Sequence, residues 1–432
     1  MMRGMWTNWA GDRSCNPVAI ERPGTTAEVA GAVRRAAEAG RTVRVAGAGH
    51  SFSDCVVTDG TLISLERMDA VVGADGDRVR VQAGLTLHRL NRELLARGLA
   101  LPNLGDIDVQ HVGGAVATGT HGTGAGKRNI SAQVVAVRVV DGHGEVHEVD
   151  GGDDLLALRV SAGALGVVTE ITFACVPAFR LRGIDDREPL DDVLDSLDER
   201  VDGNPHFELW TFPHSPYALT RTNAPTGGPP EGPPQWRLKA GQIWLDNRVF
   251  EGVLKTGARF PRAVPLLNRA ASAVTGRRER VADSFEIFAS PRLFRFTETE
   301  QCIPREHAAE ALREVKALLE RHAVGMPVEL RFVAPDDALL SPSFERDSAY
   351  IAAHVYAGQD PEPLNEVEQA LQKYGARPHW GKRSWLTHAD LAPRYPRWDD
   401  FQAVRARLDP DGRFVNDYAR RMLSQQATIA SA

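Results

Sequence analysis

A chain of 432 residues with 43% hydrophobic and 25% charged side chains has room for two or three packed domains and the composition of an ordinary globular protein. Its net charge of −6 argues against a nucleic-acid partner, which needs a basic surface. No apolar run reaches the roughly 18 residues that a membrane-spanning helix requires, so no integral membrane contact is expected. The first residues, Met1-Met2-Arg3-Gly4-Met5-Trp6, carry no extended apolar signal core, which makes the cytoplasm the expected address. Cys15, Cys55, Cys175 and Cys302 lie far apart and form no metal-type pair, so they read as buried thiols.

From the N-terminus, the spacing of Val29, Ala30, Val33, Ala36 and Ala37 predicts a helix over 25–40, stopped by Gly40. A strand over 42–46 then runs into Gly47-Ala48-Gly49-His50-Ser51-Phe52. Glycines directly after a strand let backbone N–H groups approach a phosphate where a β-carbon would clash. A doubly wound dinucleotide fold would need a third glycine where Phe52 stands, and a helix after the strand rather than before it. Residues 78–83 read as strand and 87–97 as helix. A second glycine-rich stretch runs from Gly113 to Gly124 and ends in Gly126-Lys127. It is not a nucleoside-triphosphate loop, because the leading glycine would fall on His121 and Lys127 is followed by Arg128. The two loops are instead suited to hold one pyrophosphate between them. Residues 134–140 and 145–149 read as a hairpin about Asp141-Gly142-His143-Gly144, and 167–176 as a strand, an α+β mixture rather than regular βαβ.

The chain changes character after Pro177. The stretch from Asn223 to Pro234, with five prolines and three glycines, reads as a surface loop that neither pairs as a strand nor continues a helix. The arginine-rich stretch 259–280, ending in Arg277-Arg278-Glu279-Arg280, reads as a solvated helical face without the large apolar stripe of a membrane-surface helix. Over 305–322 the stripe of Ala308, Ala311, Leu312, Val315, Leu318 and Leu319 predicts an amphipathic helix. Strands at 328–333 and 350–356 and a helix at 364–374 follow, so that helices on an antiparallel sheet would make a substrate domain.

Glu329 and Arg331 are two apart in a strand-like run, so their side chains emerge from one face and can meet one ligand. An exposed pair would be worth only about 0–1 kcal/mol, but the flanking Val328, Leu330 and Phe332 argue against a fully exposed strand. His354, on the next strand, is either a core histidine or a proton acceptor. His143 and His147 stand four apart across a turn and, without further ligands, read as exposed turn residues, with no metal expected.

Residues 45–53, 101–124 and 161–169 (Ser-Ala-Gly-Ala-Leu-Gly-Val-Val-Thr) resemble the FAD-binding domain of the vanillyl-alcohol oxidase superfamily. Pro327-Val328-Glu329-Leu330-Arg331-Phe332, residues 340–348 and Arg377-Pro378-His379-Trp380-Gly381-Lys382 resemble its sugar-1,4-lactone oxidase branch, which holds L-gulono-1,4-lactone and D-arabinono-1,4-lactone oxidases and related alditol oxidases. The resemblance implies an α+β fold in which a two-part FAD-binding domain, residues 8–178 with 376–432 returning to it, accepts an α+β cap of residues 179–375 built on an antiparallel sheet. It implies FAD attached covalently through His50, with contacts from Ala46, Gly47, Ala48, Gly49, Ser51, Gly105, Asp106, Gly114, Thr118, Gly119, Thr120, His121, Gly122, Gly166, Val168, His379 and Lys382.

The same resemblance implies catalytic roles. Glu329 would take the substrate hydroxyl proton, Arg331 would balance charge on the reduced flavin, and Lys382 would sit near flavin N1 and the C2 carbonyl, while His354 matches a histidine of alditol oxidases that helps deprotonate the substrate. The implied reaction moves hydride from a carbinol carbon of an aldonolactone to flavin N5, towards an ascorbate-type product, with O2 as acceptor giving hydrogen peroxide. The alternatives are an alditol or sugar oxidase acting on a primary alcohol, and a lactone dehydrogenase with another electron acceptor. Asp106, Glu298 and Tyr356 stand where alditol oxidases place Ser, Gln and Thr at the polyol, which weakens the first alternative. Gly105 stands where related dehydrogenases can carry an alanine that restricts the path of oxygen, which favours an oxidase. The oligomeric state stays open.

Overall fold

The helix Thr26–Glu38 starts where the Thr25 hydroxyl accepts the N–H of Glu28, and it buries Val29, Ala30, Ala32, Val33 and Ala36. It leads into Val43–Ala46, which pairs in parallel with Thr61–Ser64, itself paired with Ala19–Glu21. The structure, a computed structural model, describes residues 4–233, 235–274 and 276–425. A five-stranded antiparallel sheet follows in the order Val146–Val149, Val134–Val140, Val167–Ala174, Arg78–Gln82, Val71–Asp75. Its apolar core is shared with Leu90 and Leu94 of the helix Leu87–Leu95 and with Phe401, Val404 and Leu408 of the helix Trp398–Leu408. The end of the chain therefore packs on the first half. Arg44 fastens it: Nη1 donates to the Phe414 carbonyl at 2.6 Å, Nε to Cys55 at 2.6 Å and Nη2 to Ala162 at 2.7 Å.

The second layer is an eight-stranded antiparallel sheet ordered Arg278–Asp283, Arg180–Pro189, Tyr217–Thr226, His206–Thr211, Val328–Val333, Ser348–Tyr356, Phe296–Pro304, Arg377–Pro378. Alternation gives its central strands two unlike faces. Leu209, Leu330, Ile351 and Ile303 join a core with the helix Ala308–Arg321, whose buried residues are the six of the expected stripe. The opposite face carries the charges. Register sets Glu208 against Arg331, Trp210 against Glu329, and Glu329 against Ala352, which in turn faces Glu300, while His354 pairs with Glu298.

Two expectations are corrected. Asn223-Ala224-Pro225-Thr226 is not loop but the end of the strand Tyr217–Thr226, paired with Gly183, Arg182, Leu181 and Arg180. The neighbouring strand stops at His206, opposite Asn223, so Pro225 lies on an open edge where a missing N–H costs no ladder bond. Pro234 lies outside the described residues. Within 259–280 the helix Val264–Ala273 forms, but Arg278 to Arg280 belong to an edge strand, because Asp185, Ile184 and Gly183 offer pairing partners there. Among the thiols Cys55, Cys175 and Cys302 are buried and Cys15 is half-buried, and all four are free. His147 bonds Asp141 through Nε2 at 2.7 Å, and both His143 and His147 keep much of their side chains in solvent.

Candidate active site

The charged face of the eight-stranded sheet closes over the glycine loops of the first layer and leaves a cavity of about 560 Å³ lined by Asp106, Glu298, Glu300, Glu329, Arg331, His354 and Lys382, among others. A narrower cavity of about 110 Å³ continues from it, lined by Ala46, Gly47, Ala48, Gly49, Gly114, Gly166 and Val168. His50, Ser51, Gln110 and Thr118 line both, so the two form one elongated space, wide and charged at one end and glycine-walled at the other. Gly105, Thr120, His121 and His379 line the wide end. Gly119 and Gly122 reach neither cavity. Gly119 turns the chain at φ +71° after the helix Val112–Ala117, and a β-carbon on Gly122 would lie 2.1 Å from the Leu104 carbonyl oxygen, so both are needed by the backbone.

Glu329 and Arg331 share a face as their spacing requires, but as a buried pair, 5% and 8% exposed. Arg331 donates to Glu329 Oε1 from Nε at 2.8 Å, and its Nη2 lies 2.6 Å from Asp106 Oδ2. Glu208, which the sequence reading missed, stands 3.4 Å from Arg331 Nε. One guanidinium thus serves three carboxylates. Burial raises Glu208 to about 8, and the charge of Asp106 adds to it. Burial also raises Glu329, against the pull of Arg331. Burial pushes Asp106 the same way, but Arg331 and Arg292 reverse the effect and hold it low. Near neutral pH the group therefore keeps a proton, on Glu208 first.

Lys382 anchors a second group, with Nζ 2.6 Å from Glu298 Oε2 and 3.9 Å from Glu300 Oε2. Burial opposes both carboxylates, yet Lys382 and His354 hold Glu298 at about 2, and His121 and Lys382 hold Glu300 well below the usual range. His354 is raised in turn: burial works against its charge, and Glu298 at 3.5 Å outweighs burial. His121 Nε2 lies 3.3 Å from Glu300 Oε1. His121, Glu300 and His379 would offer a metal three donor atoms within 4.8 Å of one another, but the ammonium of Lys382 beside Glu300 works against a cation. So many buried charges are costly for stability alone, and perturbed titrations gathered in one cavity mark a functional site.

His50 stacks on Trp9 with ring centroids 5.0 Å apart, and burial, with Lys382 adding, depresses it to about 4, so the imidazole is neutral. The narrow cavity fits a dinucleotide on two counts. A β-carbon built on Gly114 meets no protein atom within 4 Å, so that backbone faces open space. Gln110 Oε1 and His111 Nδ1, both from lining residues, are buried without a hydrogen-bond partner. Tyr356 is not among the lining residues and bonds Glu251 at 3.3 Å. No described helix is long and apolar enough to cross a membrane.

Residues 171–422 match the D-arabinono-1,4-lactone oxidase family, and residues 17–150 match an FAD-binding domain. The chain belongs to the D-arabinono-1,4-lactone oxidase family. Among curated members similar to it, the L-gulono-1,4-lactone dehydrogenase of Mycobacterium tuberculosis (strain H37Rv) is 44% identical over 98% of this chain and 100% of its own. The L-gulonolactone oxidase of Mus musculus is 34% identical over 96% and 97%, and the alditol oxidase of a Streptomyces species 31% over 96% and 98%. A cholesterol oxidase structure from B. sterolicum shares the fold at 18% identity, with a TM-score of 0.80 over 97% of this chain and 96% of that one. The α+β flavoprotein fold expected from the sequence is thus established, and this family member is an FAD-dependent oxidoreductase.

Proposed function

We propose that the enzyme oxidises an aldonolactone of the L-gulono-1,4-lactone or D-arabinono-1,4-lactone type at a carbinol carbon. The observation that carries the reading is the buried Glu329–Arg331 pair facing Lys382 across one cavity, beside a second cavity suited to a dinucleotide. Bound FAD supplies the hydride acceptor. Glu329 Oε1 is held by Arg331, which leaves Oε2 to take the substrate hydroxyl proton, and burial keeps that carboxylate basic enough to do so. His354 Nδ1 donates to the Pro327 carbonyl oxygen at 3.0 Å and its Nε2 faces Glu298, so the ring is held charged and assists as a positive neighbour to negative charge developing on the substrate oxygen. Lys382 and Arg331 supply the positive charge that favours electron-rich reduced flavin.

His50, neutral and fixed against Trp9, is the residue we assign to covalent attachment, since an unprotonated imidazole is the nucleophilic form. The remaining cofactor contacts are those lining the two cavities. The division into an FAD-binding part at 8–178 and 376–432 and a cap at 179–375 accords with the packing of Phe401 and Leu408 on the first layer. Four free thiols suit the reducing cytoplasm. Gly105 supports O2 as acceptor; the name of the 44% identical relative supports the rival reading, a dehydrogenase with another acceptor. The decisive experiment follows flavin absorbance anaerobically after adding L-gulono-1,4-lactone or xylitol to separate samples. Bleaching by the lactone alone supports the proposal, and air readmission then tests the acceptor. Bleaching by xylitol alone replaces it with an alditol oxidase.

A further inference from the structure

The segment from 235 to 280 has the wrong outside for water. The helix Val264–Ala273 buries Asn268 and Ser272 beside Val264, with Asn268 Nδ2 donating to the Pro213 and Val324 carbonyls and Ser272 bonded to Ser215. It turns Leu266, Ala270 and Ala273 outward, and Val274 follows them. Leu266 is 73% and Val274 84% exposed, and earlier in the same segment Trp244 is 68% and Phe260 60% exposed. Exposed Leu266, Ala270 and Ala273, with Arg269 among them, over buried Asn268 and Ser272 depart from the pattern of an ordinary surface helix, which turns its polar side chains outward. Large side chains of this kind gathered on one segment mark a contact surface.

Charge tells what the contact is. Between 235 and 280 there are ten Lys and Arg against three Asp and Glu, in a chain whose net charge is −6. Arg248, Lys255, Arg259, Arg262 and Arg269 are exposed among the apolar side chains. A second copy of this chain would set like charge against like. Aromatic and aliphatic side chains interleaved with cations are instead the composition of a segment lying in a lipid headgroup layer. We infer that this segment docks the enzyme peripherally on an anionic lipid surface, with the mouth of the active-site cavity, rimmed by Leu245, Val249 and Val274, turned towards the bilayer. The sequence alone gave a solvated face here, because the departure is visible only once Asn268 and Ser272 are seen inside.

The test is flotation of the full-length holoenzyme with phosphatidylcholine vesicles, with and without phosphatidylglycerol. Binding to the anionic vesicles alone, lost in high salt, is expected. Arg259→Gln with Arg262→Gln should weaken it roughly 25-fold, at about 5-fold for each arginine, and Trp244→Ser with Leu266→Ser should abolish it, while both variants keep lactone turnover in solution with a soluble dye. Absence of binding, or equal binding to neutral vesicles, overturns the inference. So does a concentration-dependent dimer that Leu266→Ser dissociates, or an acidic protein bound in place of lipid. Turnover without vesicle binding would sink this inference alone and leave the reaction assignment standing.

Discussion

Gly114→Ala separates the needs of the protein from those of the cofactor. Gly114 sits within the helix Val112–Ala117, outside the positive-φ glycines, and an added β-carbon meets no protein atom within 4 Å. For the protein alone the change should stabilise, since alanine in a helix is better than glycine by about 0.5–1 kcal/mol, or roughly 1–3 °C in Tm. The open space belongs to the narrow cavity, so the same methyl should crowd FAD. Overpacking of this size costs about 1–3 kcal/mol, which weakens binding roughly 5- to 150-fold. The assay is fluorescence titration of apoprotein with FAD in a His50→Ala background, which keeps binding reversible, beside a thermal melt of the same apoprotein. A raised Tm with weakened FAD binding is expected. Unchanged FAD affinity would refute the claim that this backbone is kept bare for the cofactor.

Glu329→Gln should lower kcat with L-gulono-1,4-lactone by about 10²- to 10⁴-fold with FAD content intact; turnover near that of the unaltered enzyme would remove Glu329 from proton transfer. Lys382→Met leaves Glu298 and Glu300 buried without their cation, and a denaturant titration should show a loss of about 3–5 kcal/mol. Glu298 titrates at about 2 in the folded protein against an ordinary 4.5, so its stabilising contribution is complete above 4.5 and is lost as pH falls from there through about 2. Urea titrations across that window should show a shallower pH dependence in Glu298→Gln, and parallel curves would contradict the pairing. Gly105→Ala sets a β-carbon 3.0 Å from the His121 carbonyl oxygen and 3.3 Å from Thr120 Cγ2. Stopped-flow reoxidation should slow with O2 and hold with a dye; an unchanged O2 rate would place the oxygen path elsewhere.

Local periodicity made the helix Ala308–Arg321 and the pairing of Glu329 with Arg331 legible, because both depend on neighbours within a few residues. What sequence reading missed depends on partners far along the chain. Pro225 in a strand and the strand Arg278–Asp283 rest on pairing with Arg180–Pro189, and Glu208 meets Arg331 only through sheet register. A signal was present for some of these. Glu208 lies between Phe207 and Leu209, and Glu300 lies two residues after Glu298, the same alternation that made Glu329 conspicuous. Cofactor contact is expected along both glycine loops; that Gly119 and Gly122 line neither cavity, and that Gly122 is pressed against the Leu104 carbonyl, is visible only once that carbonyl is in place.

The four carbonyls gathered by Arg44 also set an order of assembly. Ala162 and Gly163 line the narrow cavity, and the guanidinium that holds them is itself held by Phe414, 370 residues further on. During synthesis, with the N-terminal part emerging first, the first half of the chain can build its sheets but lacks one acceptor for a buried cation. The wall of the narrow cavity is therefore finished late, by a strap that arrives long after the residues it fastens, and a chain cut short of Phe414 would leave Arg44 one acceptor short.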